Sequence, residues 1–213
     1  LKMENAGVTM SERGVHIKDT DTQTNIPNIY AVGDASGHIA LVNVGELEGR
    51  YAVERIFDNK KEKLTYENVS TIMFLQPEVA SVGMNEKQCL KLNIPVKVVK
   101  LDYSCIARAI AMRKTEGFFK IIVTNDKQMK ILGMRAVGEH ASSAIQAVAL
   151  LIKMNKGIHE LAELIHPHPS IIEGVQECVR MLLNKSIFKS SVFKDKLWCY
   201  SCIDGVKTPL QRL

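Results

Sequence analysis

The sequence predicts a mixed α+β fold, an antiparallel sheet beside helices, preceded by a smaller piece of different character. Three observations carry this reading. Two β-branched runs flank a polar turn, Asn125-Asp126-Lys127, in "GFFKIIVTNDKQMKILGMRAVG" (117–138), which is a hairpin pattern. "PVKVVKLD" (95–102) alternates with the period of two expected of a half-buried strand. Residues 141–153 instead place Ile145, Val148, Ala149 and Ile152 on one helical face. Strands and helices that fall in separate runs belong to the α+β class.

Taken from the start, residues 1–24 are polar and rich in turn formers, with one short strand candidate around Gly14 to Lys18. "NIPNIYAVGDASG" holds an apolar run, Ile29 to Val32, ended by Gly33-Asp34, and reads as a buried strand closed by a turn. Residues 41–57 form an amphipathic helix with Leu47, Tyr51, Ala52, Val53 and Ile56 near helical period. The charges of "DNKKEK" (58–63) read as a solvated linker, and a domain boundary is placed near 66.

Beyond it, "STIMFLQPEVASVG" gives two short strands around a turn at Gln76-Pro77. A short helix in "NEKQCLKL" starts from Asn85, a good N-cap residue. The long helix from Ala141 ends before Gly157. A shorter one spans Ile158 to Leu164, and a last one runs from about Ser170 to Leu183.

Between the last two helices lies "HPHP", His166 to Pro169. Proline fixes φ and lacks an amide donor, so this is a stiff elbow that presents imidazoles. Ser170 and Glu173 have capping-box spacing. The same carboxylate could instead bond an imidazole nitrogen, fixing its tautomer for acid–base chemistry near neutral pH. A metal site is the third reading. It is disfavoured because His166 and His168 alternate direction on extended backbone and no thiol or carboxylate cluster stands nearby.

The chain has 213 residues, 46% of them hydrophobic, enough for one large domain or one domain plus part of another. Its net charge of +5 comes from basic residues scattered along the chain, so no nucleic-acid partner is expected. No stretch approaches the roughly 18 to 20 apolar residues of a membrane span, and no membrane role is expected. Five cysteines at irregular spacing do not make a secreted disulfide framework, which favours a reducing intracellular compartment. The opening "LKMENAGV" reads as the continuation of a longer chain.

Six segments occur in order: "PNIYAVGDASG", "LEGRYAVERI", "QPEVASVG", "GFFKIIV", "ILGMRAVGEHASSAIQ" and "HPHPSIIEGVQE". Over roughly residues 1–183 the chain resembles the C-terminal part of the class I pyridine nucleotide–disulfide oxidoreductases, especially dihydrolipoamide dehydrogenase-like members. The resemblance implies that 1–66 closes an FAD-binding domain and 67–186 is the interface domain that forms the homodimer, with 187–213 a divergent tail. It also implies FAD and NAD(P) as cofactors of the full-length parent and a disulfide or dithiol as substrate.

On this resemblance Gly33-Asp34 matches the pair whose aspartate bonds the FAD ribitol. Leu41, Val42 and Asn43 match the helix start whose amides face the flavin pyrimidine carbonyl; the family's usual Ala-His is Val42-Asn43 here. His168 corresponds to the catalytic acid/base and Glu173 to its orienting partner, acting on the redox cysteines of the other subunit. The His168-Pro169 bond is expected to be cis, close to the partner's flavin, and the family's usual threonine is Ser170. No metal ligand is assigned.

Neither Gly-x-Gly-x-x-Gly nor Cys-x4-Cys occurs in the chain, so it lacks the FAD pyrophosphate cradle, an NAD(P) unit and the redox pair. The chain alone is expected to be inactive. The alternative is a non-catalytic dimerisation module derived from such an enzyme. In the tail, Cys199 and Cys202 form a Cys-x-x-Cys pair that reads as half a zinc site, a C-terminal electron relay, or two incidental thiols in a divergent or disordered segment.

Overall fold

The 117–138 hairpin forms the middle of a seven-stranded antiparallel sheet in the computed structural model, which describes residues 2–12, 14–15, 21–57, 62–189 and 191–210. The chain divides into two compact units, Leu1–Tyr66 and Glu67–Leu213.

In the first unit the main element is helix α1, Val42–Phe57, which buries Val44, Glu48, Tyr51 and Ala52. A small separate core gathers Val8, Val15 and Ala31 with Met3, Ile26 and Ile29 packed on it. The strand expected at Ile29–Val32 is reduced to one bridge, Tyr30 to Gln23. The reason is the lack of a long partner: Thr24 N–H donates to Ile29 O and Ala31 N–H to Thr22 O, and pairing goes no further. Of the candidate strand Gly14–Lys18, Val15 bridges Met10, while 16–18 lie outside the described residues. So does most of the expected linker, 58–61.

The second unit contains β1 (Ser70–Met73), β2 (Val79–Gly83), α2 (Glu86–Lys91), β3 (Val96–Asp102), α3 (Ala107–Ala111), β4 (Phe118–Thr124) and β5 (Ile131–Val137). Helices α4 (Ala141–Ala144), α5 (Gln146–Lys153), α6 (His159–Ala162) and α7 (Glu173–Leu182) follow, and then β6 (Leu197–Ile203) and β7 (Val206–Pro209). The sheet order is β1-β2-β5-β4-β3-β6-β7. The expected α+β interface domain, an antiparallel sheet flanked by helices, is what forms.

Local chemistry places the elements. Asp126 ties the β4–β5 turn by accepting from Thr124 Oγ1, Gln128 N–H and Met129 N–H, each at 2.9 Å. Asn85 caps α2 in a complete capping box with Gln88. Strand alternation then divides the apolar side chains. One face sends Val99, Leu101, Phe119 and Ile121 into the main core with Ile145, Val148, Val175 and Val179. The other sends Val96, Val98 and Ile122 to Cys89 of α2.

Three helix boundaries differ from expectation. The long helix is broken into α4 and α5 at Ile145, and α6 is shorter than Ile158–Leu164. Helix α7 begins at Glu173 instead of Ser170, because Gly174 N–H donates to Ile171 O and Val175 N–H to Ile172 O, the tighter i to i+3 pattern of a helix entry. The tail departs most from its disordered reading. Residues 197–209 form a hairpin whose β6 pairs with β3 over six residues, from Leu101↔Leu197 to Val96↔Cys202.

Candidate functional site

Each unit holds one group of the residues singled out in the sequence. In the first, Gly33 opens a 3-10 turn, Gly33–Ser36, with φ of 60°, a conformation that glycine adopts without Cβ strain. Its N–H donates to Glu48 Oε2 at 2.6 Å, and Glu48 Oε1 accepts from Tyr66 Oη–H at 2.9 Å. Glu48 is fully buried on α1, so the carboxylate pins the turn to the helix and both its oxygens are satisfied. Desolvation, then the bond to Glu48, pushes the Tyr66 hydroxyl well above its ordinary pKa and keeps it a donor.

Asp34, the next residue, is exposed. Leu41 is half-buried where α1 begins, and Val42 and Asn43 are exposed in its first turn. N–H groups of a first turn have no intrahelical carbonyl to meet and carry the positive end of the helix dipole. Val42 is 92% exposed, an unusual state for valine. An exposed carboxylate accepts hydrogen bonds from hydroxyls, and first-turn amides favour a carbonyl oxygen. Glu48 escaped sequence reasoning; its signal was a lone carboxylate at the buried period of Val44, Tyr51 and Ala52.

In the second unit the elbow separates its two histidines. His166 turns inward: Nδ1 lies 3.1 Å from Leu164 O, and Nε2 is buried without a partner. His168 turns outward with its side chain 71% exposed. The His168-Pro169 bond is cis, as is Gln76-Pro77. His168 Nδ1 lies 2.8 Å from Glu173 Oε1, and Glu173 Oε2 accepts from Ser170 N–H at 2.8 Å. Both readings of Glu173 are therefore realised at once, one per oxygen. Only half a capping box forms, because Ser170 Oγ donates to Pro167 O at 2.6 Å instead of capping α7.

A carboxylate only accepts, so the neutral imidazole carries its proton on Nδ1 and leaves Nε2 as the basic nitrogen. Burial acts to raise the Glu173 carboxyl, but the Ser170 amide and the His168 hydrogen bond and charge outweigh it and hold it below the usual range. The position of Glu173 depends on its neighbour. A Cβ on Gly174 would lie 2.5 Å from Ile106 Cδ1 and 2.7 Å from Phe119 Cδ2, so only glycine lets α7 seat this deeply against β4.

Beside the elbow, a cavity of about 330 Å³ is lined by Arg108, His140, Ser143, Pro169, Ser170 and Ile172, among others. Arg108 carried no reading in the sequence, since α3 is too short for a periodic signal, and neither did His140, which precedes α4. Among the described residues no group of three or more His, Cys, Asp or Glu could hold a metal ion, and no helix is long and apolar enough to cross a membrane.

The zinc and relay readings of Cys199 and Cys202 both need the two thiols side by side, and β6 separates them. Three residues apart on a strand, they point to opposite faces, Cys199 into the main core and Cys202 into the α2 cluster.

Residues 69–179 match the model of the pyridine nucleotide-disulphide oxidoreductase dimerisation domain. The chain is 39% identical over 173 residues to a dihydrolipoyl dehydrogenase of Chlamydia muridarum, covering 81% of this chain and 37% of that protein. It is 30% identical over 187 residues to the Bacillus subtilis dihydrolipoyl dehydrogenase, covering 88% and 39%. A solved structure of the HOCl-induced flavoprotein disulfide reductase RclA from Escherichia coli, in a Cu(II) complex, superposes with a TM-score of 0.76 at 28% identity over 84% of this chain and 41% of that one. The chain thus spans about two fifths of the length of the curated relatives it matches.

Proposed function

We propose, on the premise that this chain belongs to the pyridine nucleotide-disulphide oxidoreductase family through its dimerisation domain, that it is the C-terminal portion of a dihydrolipoyl dehydrogenase-like enzyme. In this reading it supplies an acid/base pair to a dithiol–disulfide site completed by a second subunit. The observation that carries the reading is the His168–Glu173 pair: an exposed imidazole held at Nδ1 by a carboxylate that is itself fixed by a backbone amide.

Glu173 orients the ring and stabilises it when charged, and Nε2 takes the proton from a substrate or enzyme thiol. The thiolate so formed is the reactive species; a free thiol, with a pKa of about 8.5, is mostly protonated at neutral pH. The proton returns from Nε2 to the leaving thiolate in the reverse step. Neither redox cysteine is needed from this chain, since the exposed face of His168 points away from its own core.

In the first unit Asp34 would accept hydrogen bonds from the FAD ribitol, and the Val42 and Asn43 amides would face the pyrimidine carbonyl, with Leu41 alongside. Gly33, held by Glu48, lets the backbone approach, and in the assembled dimer His168 and Pro169 would lie against the partner's flavin. FAD, when bound, passes electrons between a pyridine nucleotide and the disulfide. Self-association is supported by apolar side chains left exposed on the second unit: Ile165 at 93%, Phe74 at 85% and Leu150 at 57%.

In the full-length enzyme His168→Gln should lower thiol or disulfide turnover by about 10²- to 10⁴-fold with flavin content unchanged. Near-normal turnover would remove His168 from this role. A non-catalytic pairing module is the second reading, favoured by the match of residues 69–179 to a dimerisation domain. It predicts self-association in sedimentation with no turnover in any longer chain that contains these residues.

A further inference from the structure

We propose that Cys202 and Cys89 form a reversible disulfide that clasps the C-terminal hairpin to α2. The register of β6 carries the argument. Cys202 stands opposite Val96, on the face of the sheet covered by α2. There Cys89, 1% exposed, forms the small core cluster with Val96, Val98 and Ile122, and Cys202 packs against that cluster. Both thiols are free.

Their accessibility differs in a way that orders the chemistry. Cys202 is half-buried beside the exposed Asp204-Gly205 turn and lines a shallow cleft with Glu86, Leu90, Asn93 and Ile94. Cys89 faces inward from the helix, and burial pushes its thiol up. A low-molecular-weight disulfide therefore reacts first at Cys202. The Cys202 thiolate attacks one sulfur, breaks that S–S bond, forms a mixed disulfide and releases one small thiolate. The Cys89 thiolate then attacks Cys202 Sγ, forms the protein S–S bond and releases the second small thiolate. Two protein thiols are oxidised and one small disulfide is reduced to two thiols, so atoms and electrons balance.

The hairpin already has polar anchors on the same face. Tyr200 Oη–H donates to Glu86 Oε1 at 2.5 Å, and Lys207 Nζ lies 3.4 Å from the same oxygen. These bonds hold Cys202 over α2 before any covalent link forms. Cys199 is committed to the opposite face, so the two cysteines of the Cys-x-x-Cys sequence serve different cores.

The test equilibrates the reduced chain with oxidised glutathione, blocks remaining thiols with iodoacetamide and maps tryptic peptides without reductant. Cleavage after lysine isolates residues 88–91 and 197–207. The expected result is a species joining these two peptides, lost on reduction, with fragmentation placing the bond at Cys202. Cys89→Ala should abolish it and leave glutathione on Cys202, and Cys202→Ser should abolish both products. A Cys199–Cys202 bond, any other cysteine pair, a persistent mixed disulfide in the unmutated chain, or full alkylation of Cys89 and Cys202 would each overturn the proposal.

Discussion

His168 and Glu173, five positions apart in the sequence, meet through one ring nitrogen and one carboxylate oxygen, Nδ1 to Oε1 at 2.8 Å. The second oxygen is occupied by the Ser170 amide, so the carboxylate cannot swing away without losing two bonds. Glu173→Gln keeps the shape and an acceptor but removes the charge. In the full-length enzyme the expected loss of kcat/KM is about 10- to 100-fold. An unchanged kcat/KM would assign Glu173 a purely structural role.

Gly174 decides how deeply that carboxylate is set. Alanine is the better helix former by about 1 kcal/mol, yet here its Cβ would sit 2.5 Å from Ile106 Cδ1. Overpacking costs about 1–3 kcal/mol, so Gly174→Ala should be net destabilising, by about 1–2 kcal/mol, in urea unfolding of the second unit. A gain in stability would show that α7 has room to move.

The cluster on α2 makes stability depend on pH. Burial works to raise the Glu86 carboxyl, but hydrogen bonds from Lys120 and Tyr200 and the charges of Lys120 and Lys207 bring it down to about 2 from 4.5. A depressed carboxylate stabilises the fold above its unfolded pKa and loses that contribution as pH falls through the folded one. The contribution should therefore be intact above about pH 4.5 and gone near pH 2. Allowing for partial solvent screening it amounts to about 1–2 kcal/mol. Tyr200→Phe should shrink the acid-dependent change measured by chemical unfolding, and an unchanged pH dependence would exclude the cluster as its source.

The hairpin covers what would otherwise be an open sheet edge. Truncation after Lys196 removes the β6 bonds to β3 while leaving β4 in place on the other side. Amide exchange should accelerate at those β3 residues whose N–H groups face β6, in alternation along the strand, and aggregation should increase. Uniform protection along β3 in the truncated chain would show that β6 is dispensable.

Much of this architecture was legible in residue patterns. The hairpin, β3, the Asn85 cap and α1 announce themselves through period, turn chemistry or capping. These are local preferences that tertiary contacts here reinforce. The errors fall where a partner distant in sequence decides. Ile29–Val32 has strand composition but no long neighbour to pair with. The tail likewise has no strand identity until β3 offers an edge.

The sequence by itself determined the class of fold, the ordered motifs that identify the family, and the placing of a carboxylate, Glu173, five residues beyond His168. Tertiary structure decided which histidine faces solvent: the His166 ring turns in against the Leu164 carbonyl while the His168 ring turns out. It also decided that Glu48, a residue with no motif, fixes Gly33. Finally, it decided that Cys199 and Cys202 part company, because the alternation of a strand, fixed only when β6 finds β3, sends them to opposite faces of the sheet.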